Sequence, residues 1–360
     1  MTTRNHNKLF IPGPVEVSPK TFAAFAKPMI GHRGGEFTKL YASIQGPLQE
    51  LFQTSQRVLL STSSAWGVME AAIRNLAPQR VLCGMCGAFS DKWLDVARRC
   101  GREADALQVE WGAPITPALL EAKLRERDYD ALTLIHNETS VGLMNPLAEL
   151  AAVAKKFPQT LLIVDAVSSF SAVPIATDEL GIDLLLTGSQ KALALPPGFS
   201  LLTASERAYE RAATSKDRGY YFDLGEFRKN AAENMTPSTP SVSHIFALQS
   251  KLEDIFAEGI ANRHGRHERT NALVHDWVRR RGFGFFAPEG YRSKTLTCVD
   301  NTLGIDVAGL VAKLRERHRL VIDGGYGKLK GRTFRLSNMG DETDETIGEL
   351  LEALDDCLEK

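Results

Sequence analysis

Between residue 57 and about residue 203, short uninterrupted apolar runs alternate with segments of helical period. This alternation constrains the fold more than any other feature of the chain. The runs cover residues 58–61, 80–83, 131–135, 161–164, 183–186 and 200–203. They are leucine-rich or β-branched throughout rather than alternating with polar residues, as strands covered on both faces must be. The stretches 68–76, 91–99, 117–125 and 147–156 are amphipathic at helical spacing. The pattern predicts an α/β fold, a large doubly wound, mostly parallel sheet with helices on both faces. After the polar stretch 229–234 a second pattern begins with two long helical segments, about 242–258 and 262–281. Strand signals at 296–299, 320–322 and 333–335, a helix near 307–318 and another from Asp344 complete a smaller C-terminal α/β domain.

Composition removes several functional classes. Lys plus Arg number 43 and Asp plus Glu 44, a net charge of −1, so neither nucleic acid nor an anionic membrane is expected as partner. No apolar run approaches the roughly 18 residues of a membrane span. The polar start, residues 1–8, lacks the apolar stretch of a signal peptide. Five cysteines make a sparse, odd set, which argues against a disulfide scaffold. The expectation is a soluble, cytoplasmic protein.

Asp165 closes the apolar run 161–164, at the carboxyl end of the expected sheet, where open α/β folds bind ligands. Lys191 follows a later run and is hemmed in by Gly188, Ser189, Pro196, Pro197 and Gly198. An acid and an amine from neighbouring strands are what pyridoxal phosphate (PLP) chemistry requires: a lysine for the covalent link and an acid beside the pyridine nitrogen. The same two residues read as a strand-end turn cap and a solvated loop lysine. The hydroxyl-rich turn 61–64 leads from a strand into a helix, a place for a phosphate aided by Ser63 and Ser64, or for an ordinary serine cap.

The chain resembles the fold-type I, class V aminotransferases, specifically the alanine–glyoxylate and serine–pyruvate group. The resemblance is carried by Ile11-Pro-Gly13-Pro14-Val15, Pro28-Met-Ile-Gly31-His32-Arg33, Ser63-Ser64 through Met69-Glu70, and Gly87 to Trp93. It continues through His136-Asn-Glu138-Thr139-Ser140, Asp165-Ala-Val167-Ser-Ser169, Gly188-Ser-Gln190-Lys191, Gly324 to Gly331 and Phe334-Arg335. It implies that Lys191 binds PLP and that Asp165 faces the pyridinium nitrogen. Thr139 then contacts the ring's 3-oxygen, Ser64, Ala65 and Trp66 cradle the phosphate with Gln190 close by, and Val167 belongs to the cofactor site. Thr239 would reach the phosphate from the partner of a homodimer. Arg335 would hold the substrate α-carboxylate, the expected partner for a guanidinium in an apolar strand. Gly13, His32 and Arg33 would form the substrate mouth.

The implied division is an N-terminal arm (1–25) serving the mouth and the dimer, a large PLP domain (26–258) and a small domain (259–360). Cys86 stands where relatives carry the aromatic residue stacked on the ring, and Trp66 is expected to take over part of that stacking. Cys83 and Cys86 read alternatively as a redox or metal pair, or as two buried thiols. His264 and His267 read as part of a solvated basic helix, and no metal site is expected. The implied reaction is ping-pong transfer of an amino group from alanine or serine to glyoxylate or pyruvate. Aspartate is a variant donor if Arg33 pairs with a second carboxylate. Desulfurase-type chemistry is disfavoured because Gln190, not a histidine, precedes Lys191.

Overall fold

A computed structural model describes residues 6–358. Its central sheet has 7 strands in the order Leu59–Ser61, Ser200–Ala204, Leu184–Gly188, Leu161–Asp165, Ala131–Ile135, Arg80–Met85 and Glu103–Gln108. The last five of these run parallel to one another. Ser200–Ala204 is antiparallel to both of its neighbours. The apolar runs 131–135, 161–164 and 183–186 become inner strands with fully buried faces, as their composition required, and the run 58–61 forms a buried edge strand.

One strand, Glu103–Gln108, has no apolar run to announce it. It lies at the sheet edge with only Leu107 buried, so its sequence, Glu-Ala-Asp-Ala-Leu-Gln, lacks the unbroken apolar run of a strand covered on both faces. Helices Ala65–Leu76 and Ala88–Arg99 each begin three residues before their periodicity does. For the second, the buried Glu138 carboxylate accepts from the N–H groups of Phe89 (3.3 Å) and Ser90 (2.8 Å). A tertiary contact therefore supplies the cap. The expected helix 307–318 is helical over Val307–Lys313 and then widens into a π turn, Leu314–His318.

Two large apolar cores result, with a small third cluster around Val15, Ala194 and Met339. One surrounds the large sheet, with Phe37, Phe52, Leu134, Ile163, Leu185 and Phe199 at its centre. The other joins Val274, Trp277, Phe334, Leu350 and Leu354 around a three-stranded sheet of Gly284–Phe285, Leu296–Asp300 and Thr333–Ser337. Phe10 belongs to the second core, because Lys8–Leu9 pairs in parallel with Leu320–Val321. The segment that follows crosses to the large sheet, where Val15 N–H donates to the Gln190 carbonyl (3.1 Å). No helix among the described residues is long and apolar enough to cross a membrane.

The segment holding His264 and His267 differs from expectation. Arg263 and His267 are buried, not solvated. Arg263 donates to the Ala192 carbonyl and faces Glu258 and Asp341, and His267 Nδ1 donates to the Arg263 carbonyl (2.9 Å). The run of cations is one half of a packed ion network.

Candidate active site

Asp165 ends its strand and Lys191 follows the neighbouring strand by three residues, so the sheet's carboxyl edge brings them to one cavity of about 230 Å³. Asp165 Oδ1 accepts from the Val167 N–H (2.9 Å), and Oδ2 accepts from Trp93 Nε1 (3.3 Å). Burial raises its pKa to about 6, against the lowering pull of these two donors. Lys191 Nζ donates to the Pro12 carbonyl. Desolvation first, and then the Arg335 charge, bring the amine down to about 8, while Asp165 and Asp323 oppose. The cavity-facing turn before Pro14 has to be glycine. Gly13 has φ +115°, and a Cβ there would lie 2.6 Å from Lys191 Cδ and 2.8 Å from Nζ.

Gly13, Ser64, Ala65, Trp66, Thr139, Val167 and Gln190 line this cavity together with Asp165 and Lys191. The Thr139 and Ser168 hydroxyls hydrogen-bond to each other. Ser64 occupies the N-cap of Ala65–Leu76, yet its hydroxyl accepts no bond from the first turn. The ordinary-cap reading therefore fails, and the helix start opens into the cavity with its hydroxyl free. Asn137 donates to Ser168 and Thr295, while its buried Oδ1 has no partner.

The family profile described as aminotransferase class-V matches residues 20–325. The chain belongs to the class V aminotransferases. It is 34% identical over 355 residues to the soluble hydrogenase, small subunit, of Synechococcus sp. (strain PCC 6716), across 97% of this chain and 92% of the relative. It is 32% identical over 350 residues to the L-aspartate–glyoxylate aminotransferase of Paracoccus denitrificans, across 94% and 88%. The crystal structure of an alanine–glyoxylate aminotransferase from Nostoc sp. superposes with a TM-score of 0.93 at 30% identity, covering 99% and 96%.

This aminotransferase is thus a PLP enzyme of fold type I, and its cavity fits the cofactor. The uncapped start of Ala65–Leu76 with Ser64 would hold the phosphate, and Lys191 would hold the aldehyde carbon. Asp165 would face the ring nitrogen, and the orphaned Asn137 Oδ1 is an acceptor the wall offers.

Cys86 stands elsewhere than the resemblance implied, and Arg335, His32, Arg33 and Thr239 lie outside the cavity wall of this chain. Cys86 does not line the cavity. It is fully buried, its sulfur accepts from Asn145 Nδ2 (3.4 Å) and Ser90 Oγ (3.8 Å), and burial raises the thiol to about 12. The aromatic wall is made instead by Phe89, one residue into the following helix, with Trp66 and Tyr326. Phe89 was visible within the motif Gly87–Trp93, but only the position of the helix start shows that it, not Cys86, faces the cavity.

Arg335 is buried and touches two wall residues without forming the wall. Nη1 donates to the Thr139 carbonyl (3.0 Å), and the guanidinium lies 5.3 Å from the Tyr326 ring centre. Its counter-charge is already present, because Nε pairs with Asp323 Oδ1 at 2.8 Å. The carboxylate partner expected for this guanidinium is thus supplied within the chain by Asp323. Half-buried His32, exposed Arg33 and exposed Thr239 lie outside the cavity wall of this chain, and Arg33 Nη1 donates to the Thr236 carbonyl (3.4 Å).

Proposed function

We propose that this aminotransferase transfers the amino group of a small L-amino acid, alanine or serine, to a small 2-oxo acid, glyoxylate or pyruvate, by a ping-pong route. The observation that carries the reading is the single cavity joining Lys191, Asp165 and Thr139, with the paired Arg335 against two of its wall residues. Relatives named for alanine and aspartate donors with glyoxylate support the same substrate range.

PLP, when bound, supplies the electron sink for the pair left on Cα after proton loss. The chain's own groups do the rest. Lys191 Nζ, at about 8 rather than 10.5, holds a much larger neutral fraction near pH 7, which suits it to carry the proton from the donor's Cα. Asp165 provides the negative charge opposite the ring nitrogen. The remaining Arg335 donors orient the α-carboxylate. The exposed positions of Arg33 and Thr239 support a homodimer in which each chain lends these residues to its partner's mouth.

The test is a half-reaction screen. Holoenzyme mixed with alanine or serine should lose its yellow absorbance, and glyoxylate or pyruvate should restore it. Failure of every small donor would remove this reading. Light scattering at micromolar concentration should give twice the 39.6 kDa chain mass, and a monomer would remove the shared mouth.

A further inference from the structure

Among the described residues, Lys92 is the exposed cation whose ammonium lies near three cavity-wall rings. Its Nζ lies 5.5 Å from the centre of Phe89, 5.7 Å from Tyr326 and 5.8 Å from Trp66. All three rings line the active-site cavity; Lys92 is not itself a wall residue and lies directly beside that aromatic wall. Nζ donates to the Tyr326 hydroxyl (3.2 Å), and Lys92 makes no ion pair among the described residues. The nearby acid Asp91 is already engaged, accepting from Trp111 Nε1 (2.9 Å).

We infer that Lys92 reads a second carboxylate on the substrate, so that dicarboxylic amino acids such as aspartate, and the matching oxo diacids, enter the same site. Tyr326 stands between two cations, Arg335 at 5.3 Å from its ring centre and Lys92 at 5.7 Å. A short diacid can therefore present its α-carboxylate toward Arg335 and its far carboxylate toward Lys92. The three rings exclude water from one side of the ammonium, which strengthens its attraction for an anion over that of a freely solvated lysine. Arg33, the earlier candidate for this role, is turned to the Thr236 carbonyl instead. The inference rests on the transaminase reading above and adds the substrate class.

The test compares holoenzyme with Lys92→Gln, which removes the charge and keeps an N–H donor one bond shorter, and with Lys92→Arg, which keeps the charge. Steady-state kcat/KM is measured for L-aspartate and L-alanine, and PLP affinity by titration. Lys92→Gln should lower the aspartate-to-alanine ratio of kcat/KM about tenfold, mainly through KM, and Lys92→Arg should restore most of it. A change under threefold overturns the inference, as does a wild-type enzyme that takes alanine but not aspartate. A weakened PLP affinity with the ratio intact would assign the charge to the cofactor phosphate and overturn it equally. If wild type converts neither amino acid, the transaminase reading itself fails and the inference falls with it.

Discussion

Arg335 and Asp323 are joined twice. The guanidinium Nε lies 2.8 Å from Asp323 Oδ1, and each backbone N–H donates to the other residue's carbonyl, at 2.8 and 3.3 Å. The buried cation is oriented before any substrate arrives. Preorganisation of this kind lets a bound carboxylate meet a donor that does not have to reorient.

Replacing Arg335 by Ala should therefore damage both stability and catalysis. It leaves the Asp323 carboxylate half-buried and unpaired, at a cost of about 3 kcal/mol, read by urea unfolding. It should also lower kcat/KM for all amino acids alike, since all share the α-carboxylate. Asp323→Asn should show the second effect more weakly, about tenfold, because the backbone pairing remains. Normal kinetics for Asp323→Asn would mean that Arg335 needs no orientation.

Lys191→Ala should abolish transamination while the protein still folds, because the side chain occupies a cavity and not the core. Borohydride reduction of wild-type holoenzyme should fix the cofactor on the peptide containing Lys191. Recovery of the label on another lysine would contradict this placement of the site.

Asp165 gives a pH dependence whose sign is fixed by its raised pKa. Folded apoenzyme binds this proton up to about pH 6, whereas the unfolded chain releases it near 3.8. The stabilisation is full below pH 4 and is lost as pH rises through 6. The unfolding free energy of wild type relative to Asp165→Asn should fall by up to about 3 kcal/mol between pH 4 and pH 7. A flat difference would show that Asp165 is not desolvated. The same substitution in holoenzyme should slow turnover severely, since an amide lacks the charge to hold the ring nitrogen protonated.

Cys86 and Phe89 give opposite outcomes. Cys86→Ala should leave the cofactor absorbance unchanged and cost about 1 kcal/mol of stability, as removal of a small buried group does. Phe89→Ala should weaken PLP binding and shift its absorbance, because a wall ring is lost. Observation of the reverse pattern would restore Cys86 as the residue facing the ring.

The local sequence determined the order of the strands and helices and the strand-end position of Asp165. Strands buried on both faces require unbroken apolar runs, so 131–135 and 161–164 are legible one residue at a time. It also indicated that Lys191 lies at the sheet's edge, since the glycine and prolines around it end the apolar run 183–186. The naming of PLP needed the longer resemblance, because an acid and an amine alone read equally well as a cap and a surface lysine.

Tertiary structure decided what depends on the third dimension. The edge strand Glu103–Gln108 carries polar residues because its faces are only partly covered, whereas the opposite edge strand, Leu59–Ser61, is buried throughout. Arg263 and His267 looked like solvated cations, and became buried only because Glu258, Asp341 and the Ala192 carbonyl arrive from other parts of the chain to satisfy them. The exchange of Cys86 for Phe89 follows from a helix start fixed by Glu138, some fifty residues away in sequence. Arg335 acquired Asp323 from the adjoining backbone, and Lys92 gained Trp66 and Tyr326 from distant segments beside Phe89 on its own helix. Burial and pairing are properties of neighbours in space, and periodicity along the chain reports only which face of an element is apolar, not what will be packed against it.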